Sequence, residues 1–374
     1  MHVLLDATAV PADRGGVGRY VDELVPELDR AGVALTIAAQ ARDGALFSAL
    51  APHADVVTAP AALESRARRM AWEQTSLPAL VRRVRPDVVH SPHYTMPLAT
   101  RAPVVVTLHD ATFFTTPELH LRSKAVFFRN AIRLASRRAA ALVTPSKATR
   151  DEVVRLVGAD PARFHVAYHG VDHARFHAVP DADAARVRAT LDVGDAPYVG
   201  FLGTLEPRKN VPALIRGWVR ACEGLADPPA LVLAGGKGWD EAIDGAVAAV
   251  PGHLTVRRPG YLPLDDLPGF LAGARVLAYP SLGEGFGLPV LEAMACGATV
   301  LTTRELSLPE VGGDAVAYCG VDDASIGAAL RALLDDPARR DALAHHAVER
   351  AAEFTWAAAA QAHIAAYEAA RTAR

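Results

Sequence analysis

The chain has 374 residues, about twice the length of a common domain, and with 51% hydrophobic and 22% charged residues it carries enough apolar material for two cores. A net charge of −3 excludes whole-molecule attraction to nucleic acid. No apolar run reaches the length of a membrane span, the opening Met1-His-Val-Leu-Leu-Asp6 lacks a signal peptide's basic head and cleavage site, and the cysteines at 222, 296 and 319 have neither pairing nor metal spacing, so a reducing cytoplasm is the expected setting.

Residues 2–6 read as a first strand and 7–14 as a loop. Gly15-Gly16-Val17-Gly18-Arg19-Tyr20 then opens a helix whose Val17, Val21, Leu24, Val25 and Leu28 share one face. Such a glycine loop can be an anion cradle or a plain tight turn; the dinucleotide pattern G-x-G-x-x-G fails, because Val21 stands where a third glycine is required. Further strands are expected at 34–39, 87–90 and 104–108. Between them Arg66, Arg68, Arg69, Arg82, Arg83 and Arg85, with Trp72, form a basic, partly amphipathic region. It can lean on anionic lipid or be a solvated helical face with acidic partners, the second being favoured. Val104-Val-Val-Thr-Leu-His109-Asp110 delivers a histidine to the carboxyl end of a buried strand, the edge at which open α/β sheets bind ligands. His90 and His93 are weaker candidates for an acceptor groove, with packing or surface as the favoured reading. A helix at 125–138, a strand at 141–144, a helix capped by Ser146 and a strand at 164–168 complete an alternation that predicts a parallel sheet covered on both faces.

From about 173 to 197 proline, aspartate and alanine dominate, with one short helix, which reads as a linker. A strand at 198–203 leads through Thr204-Leu-Glu-Pro-Arg-Lys-Asn210 to a helix at 211–222. Arg208 and Lys209 precede that helix, where the dipole disfavours cations unless an anion offsets them. Strands follow at 230–234 and 254–257. Gly235-Gly-Lys-Gly238 is no Walker loop, and Asp265-Asp266 reads as helix capping rather than metal ligation, since acidic pairs recur at 322–323 and 335–336 where helices begin or end. A strand at 276–279 passes through glycines 283, 285 and 287 into a helix beginning near Leu288 and closed by Gly297. The N–H groups of Phe286, Gly287 and Leu288 then lie without helical partners at its positive end, a ready phosphate seat. By spacing alone Glu284 is equally a helix cap, and Glu292 either a solvated surface charge or a carboxylate offering both oxygens to vicinal hydroxyls. A strand at 299–302, a loop at 304–313 and helices from 323 onward finish the chain.

Read together, Glu284-Gly-Phe-Gly-Leu-Pro-Val-Leu-Glu-Ala-Met-Ala-Cys-Gly297 resembles the E-x7-E signature of family-4 retaining glycosyltransferases. The resemblance implies the GT-B fold: two Rossmann-like α/β domains facing each other across a cleft, here 1–175 for the acceptor and 198–355 for the nucleotide-sugar donor, with 176–197 as linker and a helix at about 356–374 crossing back to the first domain. It implies that Glu292 holds the nucleotide ribose, that Glu284 contacts the donor sugar or its phosphate, and that Phe286, Gly287 and Leu288 bind the diphosphate. Gly16 lies against the donor phosphate, His109 faces the donor sugar, and Tyr261 or Leu262 borders the base. An arginine and a lysine of the family sit on the diphosphate; Lys209 matches, and because Thr204 stands where many members carry arginine, that role passes to Arg208. The implied reaction moves a hexose to a hydroxyl of a glycan or glycolipid with retained configuration, without metal or cofactor. GDP-mannose is the first choice of donor, because L-G-T-L-E-P-R-K-N resembles a subgroup rich in bacterial mannosyl- and rhamnosyltransferases that build polysaccharides. Rhamnosyl or glucosyl transfer from a dTDP- or UDP-sugar, an epimerase, hydrolase or phosphorylase on the same fold, and a non-catalytic nucleotide-sugar-binding protein are the alternatives. Contact with the inner membrane surface would accompany a glycolipid acceptor. The reading also expects the two cations to be open to a pyrophosphate rather than occupied by the protein's own carboxylates.

Overall fold

The computed structural model describes residues 1–373 except Asp13, Ala61, Ala62, Glu64, His120 and Asp195; Asp13 of the expected first loop and Asp195 of the expected linker thus lie outside the described residues. The chain forms two compact units, one of Met1–Gly170 with Thr355–Arg374, the other of Val171–Phe354.

Among the described residues the first unit holds β1 (His2–Asp6), β2 (Ala34–Gln40), β3 (Asp55–Ala59), β4 (Val88–Ser91), β5 (Val104–Thr107), β6 (Ala141–Thr144) and β7 (Phe164–Val166). They make one parallel sheet in the order β3-β2-β1-β4-β5-β6-β7. The second unit holds β8 (Tyr198–Leu202), β9 (Ala230–Ala234), β10 (Val256–Gly260), β11 (Val276–Tyr279), β12 (Val300–Thr303) and β13 (Ala317–Cys319), parallel in the order β10-β9-β8-β11-β12-β13. Parallel sheets need cover on both faces, and the inner strands are accordingly unbroken buried runs, as in Val104–Thr107 and Val276–Tyr279. The strand order reverses between β1 and β4 and again between β8 and β11. Loops at the carboxyl ends beside such a reversal are where this architecture binds ligands.

The first covering helix, Gly16–Arg30, buries Tyr20, Val21, Leu24, Val25 and Leu28 at helical spacing, each aliphatic side chain stabilising by about 1.5–3 kcal/mol. In the second unit helices Val211–Cys222 and Asp323–Asp335 meet at Gly217 and Gly327; a methyl on Gly327 would stand 2.8 Å from the Gly217 carbonyl oxygen, so this crossing tolerates no side chain. Helix Asp181–Thr190 also lies in the second unit, with Val187 buried against Gly269 of helix Leu267–Gly273.

The last helix, Trp356–Thr372, returns to the first unit as expected, with Thr355 capping it by accepting the Ala358 N–H at 3.1 Å. Its buried face carries His363 and Tyr367 into a chain of hydrogen bonds. His363 Nδ1 donates to Ala359 O (2.7 Å), which leaves Nε2 to accept from the Tyr20 hydroxyl (2.7 Å). Tyr20 accepts from Thr107 Oγ1 (2.9 Å), Thr107 from His90 Nε2 (2.9 Å), and His90 Nδ1 from the Tyr367 hydroxyl (2.9 Å). One direction of donation satisfies every member with no charge. Burial pulls His363 down to about 4 and His90 well below the usual imidazole value, as that requires. His90 is therefore a packing residue and not part of an acceptor groove.

Several elements differ from the sequence reading. β3, β13 and helices Gly44–Leu50, Ala242–Ala248 and Leu308–Gly312 were not expected. β3 and β13 are sheet edges of five and three residues, too short and too exposed to show a buried-strand pattern. β10 starts at Val256 rather than 254 and slips register between Arg257 and Gly260, an irregularity around Pro259 that an edge position permits. Asp266 does not cap its helix; its carboxylate pairs with Arg186 at 2.8 Å. Asp322 and Asp336 do cap theirs, accepting the Ser325 and Arg339 N–H groups.

Candidate active site

The loops after β8 and β11 bring together residues 75 positions apart. Pro207–Lys209 is a single turn of 3-10 helix closed by Asn210 in the left-handed conformation, and it buries Lys209. Lys209 Nζ donates to Glu284 Oε1 at 2.7 Å and to the Tyr279 hydroxyl. Arg208 Nη1 is paired with Glu284 Oε2 at 2.5 Å and donates to Gly283 O at 2.7 Å. Glu284 Oε1 also accepts from Ser281 Oγ (2.6 Å) and from the Tyr279 hydroxyl (3.0 Å). The Tyr279 hydroxyl thus accepts a hydrogen bond from the ammonium and donates one to the carboxylate. Burial alone would raise the Glu284 carboxyl, but Arg208 and Lys209 outweigh it and hold the group well below the usual carboxylate range. Burial and the neighbouring Arg208 lower Lys209, against the pull of Glu284.

The loop itself is braced from β12: Thr302 Oγ1 donates to Tyr279 O (2.8 Å) and Thr303 Oγ1 to Ser281 O (2.6 Å). Ser307 Oγ lies 2.8 Å from both Glu284 O and Phe286 O. The backbone then turns at Gly287, φ +108°, a conformation that disfavours any residue with a side chain, and enters helix Leu288–Ala295. Gly287 flanks the helix without a side-chain cap, so Glu284 is not the cap; it serves the cations instead. Phe286 turns inward onto Phe354, 5.9 Å between centroids. The helix is buried from Val290 to Ala295, and Glu292, 3% exposed, is its one charged residue. That removes the solvated-charge reading, because an ionisable group is not kept in such a helix without a polar purpose.

One expectation fails. Arg208 and Lys209 are not open donors: Glu284 engages both, and Glu206 Oε2 lies 3.5 Å from Arg208 Nη2. Two cations face two carboxylates, so an incoming anion meets a neutral cluster rather than a bare positive one. Glu206 was legible only as a neighbour inside the 204–210 loop, Tyr279 only as the end of the 276–279 strand and Ser281 not at all; nothing in their spacing marked them as partners of the charged residues.

Tyr261 and Leu262 follow β10, two strands away from β8, with Tyr261 65% exposed. Gly16 and His109 belong to the first unit. Gly16 begins its helix after β1, exposed, with neither a positive φ nor any atom within 4 Å of an added methyl, so the unit's own packing does not demand glycine there. His109 follows β5 and packs edge-on against Tyr20, 5.1 Å between centroids. Its Nε2 donates to Pro92 O at 2.7 Å, and burial lowers its pKa, so the neutral ring keeps Nδ1 as an acceptor. His93 packs against His109, Tyr94 and Phe128. In the basic region Arg69 pairs with buried Glu73 at 2.8 Å and Arg66 stacks over Phe127 at 4.5 Å.

The chain is similar to known proteins in both sequence and fold. Residues 14–175 match the family Glycosyltransferase Family 4, and residues 185–352 match Glycosyl transferases group 1. The chain is 30% identical over 77% of its length to the O-antigen chain mannosyltransferase B of Escherichia coli, of which it spans 74%. It is 34% identical over 60% of its length to a D-inositol 3-phosphate glycosyltransferase of Kineococcus radiotolerans, of which it spans 56%. In fold it is similar to Anabaena HepE in complex with UDP-glucose, with a TM-score of 0.76, 20% identity and 98% of both chains covered. WaaG, a glycosyltransferase involved in lipopolysaccharide biosynthesis, gives a TM-score of 0.72 at 16% identity over 98% of both chains.

Proposed function

The chain belongs to the family-4 glycosyltransferases of GT-B fold, and from that premise we propose that it transfers mannose from GDP-mannose to a hydroxyl of a glycan or glycolipid, with retained configuration and no required metal. The observation that carries the reading is the convergence of Arg208, Lys209 and Glu284 beside the start of helix Leu288–Ala295. As the sugar's anomeric C–O bond breaks, negative charge gathers on the departing diphosphate. Lys209, Arg208 and the helix-start amides from Phe286 to Leu288 stabilise it, a kind of stabilisation worth about 3–4 kcal/mol per well-placed donor. The Gly16 helix start is a second amide source for the phosphate. Glu292 accepts the ribose hydroxyls, Tyr261 and Leu262 border the base, and His109 accepts a sugar hydroxyl at Nδ1. The departing phosphate takes the acceptor's proton on the face it leaves.

Mannose is favoured over other hexoses by the mannosyltransferase names among the relatives at 30% identity. The test is a panel of GDP-, UDP- and dTDP-sugars scored by the rise in melting midpoint, since a ligand held only by the folded state stabilises it. GDP-mannose is expected to give the largest rise and to be turned over when acceptor is added. A larger rise with a UDP- or dTDP-sugar would reassign the donor, and loss of activity in chelator would overturn the metal-free step. Among the described residues no helix is long and apolar enough to cross a membrane. A glycolipid acceptor would instead bring residues 66–85 to an anionic bilayer, which sedimentation with phosphatidylglycerol vesicles checks.

A further inference from the structure

The four charges after β8 and β11 are not equivalent. Glu284 is fixed: besides its two cations it accepts from Ser281 and Tyr279, and withdrawing it would take the acceptor from the buried Tyr279 hydroxyl and the counter-charge from a buried ammonium. Glu206 has a single ionic contact among the described residues, 3.5 Å to Arg208 Nη2, and its side chain is 21% exposed against 9% for Glu284. Its backbone is held independently, as its carbonyl accepts the Lys209 N–H at 2.9 Å, so the side chain can swing to water without disturbing the turn. A diphosphate carries the same sign as Glu206 and seeks the same guanidinium.

We propose that Glu206 is the counter-anion that the nucleotide diphosphate displaces from Arg208, and that this residue sets how tightly donor and diphosphate product are held. The inference rests on the donor reading of the site and adds a sign that reading lacks: here, removing a charge from the binding cluster tightens binding. With Glu206 in place the cluster is neutral. Without its charge the cluster is +1 and meets the phosphates without competition. Weak product binding favours turnover, because the diphosphate must leave before the next donor enters.

The experiment titrates GDP, UDP and dTDP into the full-length protein and into Glu206→Gln and Glu206→Asp by calorimetry, with melting midpoints recorded without ligand. For whichever diphosphate the unsubstituted protein binds, Glu206→Gln is expected to bind about three- to tenfold tighter, as one partly screened charge interaction allows, and to show stronger product inhibition by a similar factor. Glu206→Asp, which keeps the charge, should stay near the unsubstituted affinity. Equal or weaker binding by Glu206→Gln, in a variant whose ligand-free melting midpoint is unchanged, overturns the inference and leaves the donor reading standing. Binding of none of the three diphosphates by the unsubstituted protein overturns the donor reading, and the inference with it.

Discussion

Each unit contains a buried polar cluster beside its central strands, and these two are built on opposite terms. In the first, Tyr367, His90, Thr107, Tyr20 and His363 form a neutral chain in which every donor has one acceptor. In the second, Lys209, Arg208, Glu284 and Glu206 are charged, balanced against one another and crowded onto few atoms. A neutral, fully satisfied chain has nothing left to offer a ligand; it fastens the last helix to β4 and β5. A charged cluster can exchange one internal anion for an external one, and it stands at a strand reversal beside a helix start. Placement alone does not separate the roles of two buried polar groups. Whether the charges can be exchanged does.

The largest expected effect comes from breaking the charged cluster. Lys209→Ala should slow transfer about 10²- to 10³-fold at saturating donor and lower stability by about 3 kcal/mol, because Glu284 keeps its burial and loses one cation. Initial rates and urea unfolding measure the two. A rate within a few fold of the unsubstituted enzyme would remove Lys209 from the chemistry.

Acidification should act on the neutral cluster first. His363 is lowered in the folded state to about 4, so its contribution is complete above the unfolded value of 6.5 and is lost as pH falls toward 4, about 2 kcal/mol by pH 5. His90 and His169 shift in the same direction, both through burial. Asp6 opposes them: burial and Glu73 raise it to about 6, so protonating it on the way to pH 5 returns about 1 kcal/mol. The sum still destabilises the first unit, whereas Glu284, whose folded pKa is depressed, loses its contribution only below the ordinary carboxylate range. Hydrogen exchange at pH 7 and pH 5 should show protection falling first in helix Trp356–Thr372; equal protection at both would contradict the neutral chain.

Two smaller effects sharpen the contrast. Glu292→Ala should weaken nucleotide binding about tenfold with a lesser effect on the rate at saturating donor, read by calorimetry and a KM-against-kcat split. Tyr20→Phe removes one hydroxyl from the neutral chain and should cost about 1–2 kcal/mol of stability with transfer changed only a few fold.

The alternation of strands and helices was legible because the inner strands are buried on both faces: 230–234, 276–279 and 141–144 were read to the residue. The edges were not, because β3 and β13 bury one face at most and β10 bends around Pro259. Arg208, Lys209 and Glu284 were singled out in the sequence, and the structure brings them into one cluster. Their mutual neutralisation was not legible, since the sequence cannot show that loops 75 residues apart put a carboxylate on two cations. The Tyr20 to Tyr367 chain was equally hidden, its members scattered over four elements far apart in sequence.

The most direct test is a crystal structure of the full chain with the nucleoside diphosphate that the stabilisation panel selects. The account predicts a diphosphate oxygen about 3 Å from Lys209 Nζ and another at the Gly287 or Leu288 N–H, with Glu206 turned away from Arg208. A diphosphate bound elsewhere, with all four charges still paired as they are without it, would contradict the account.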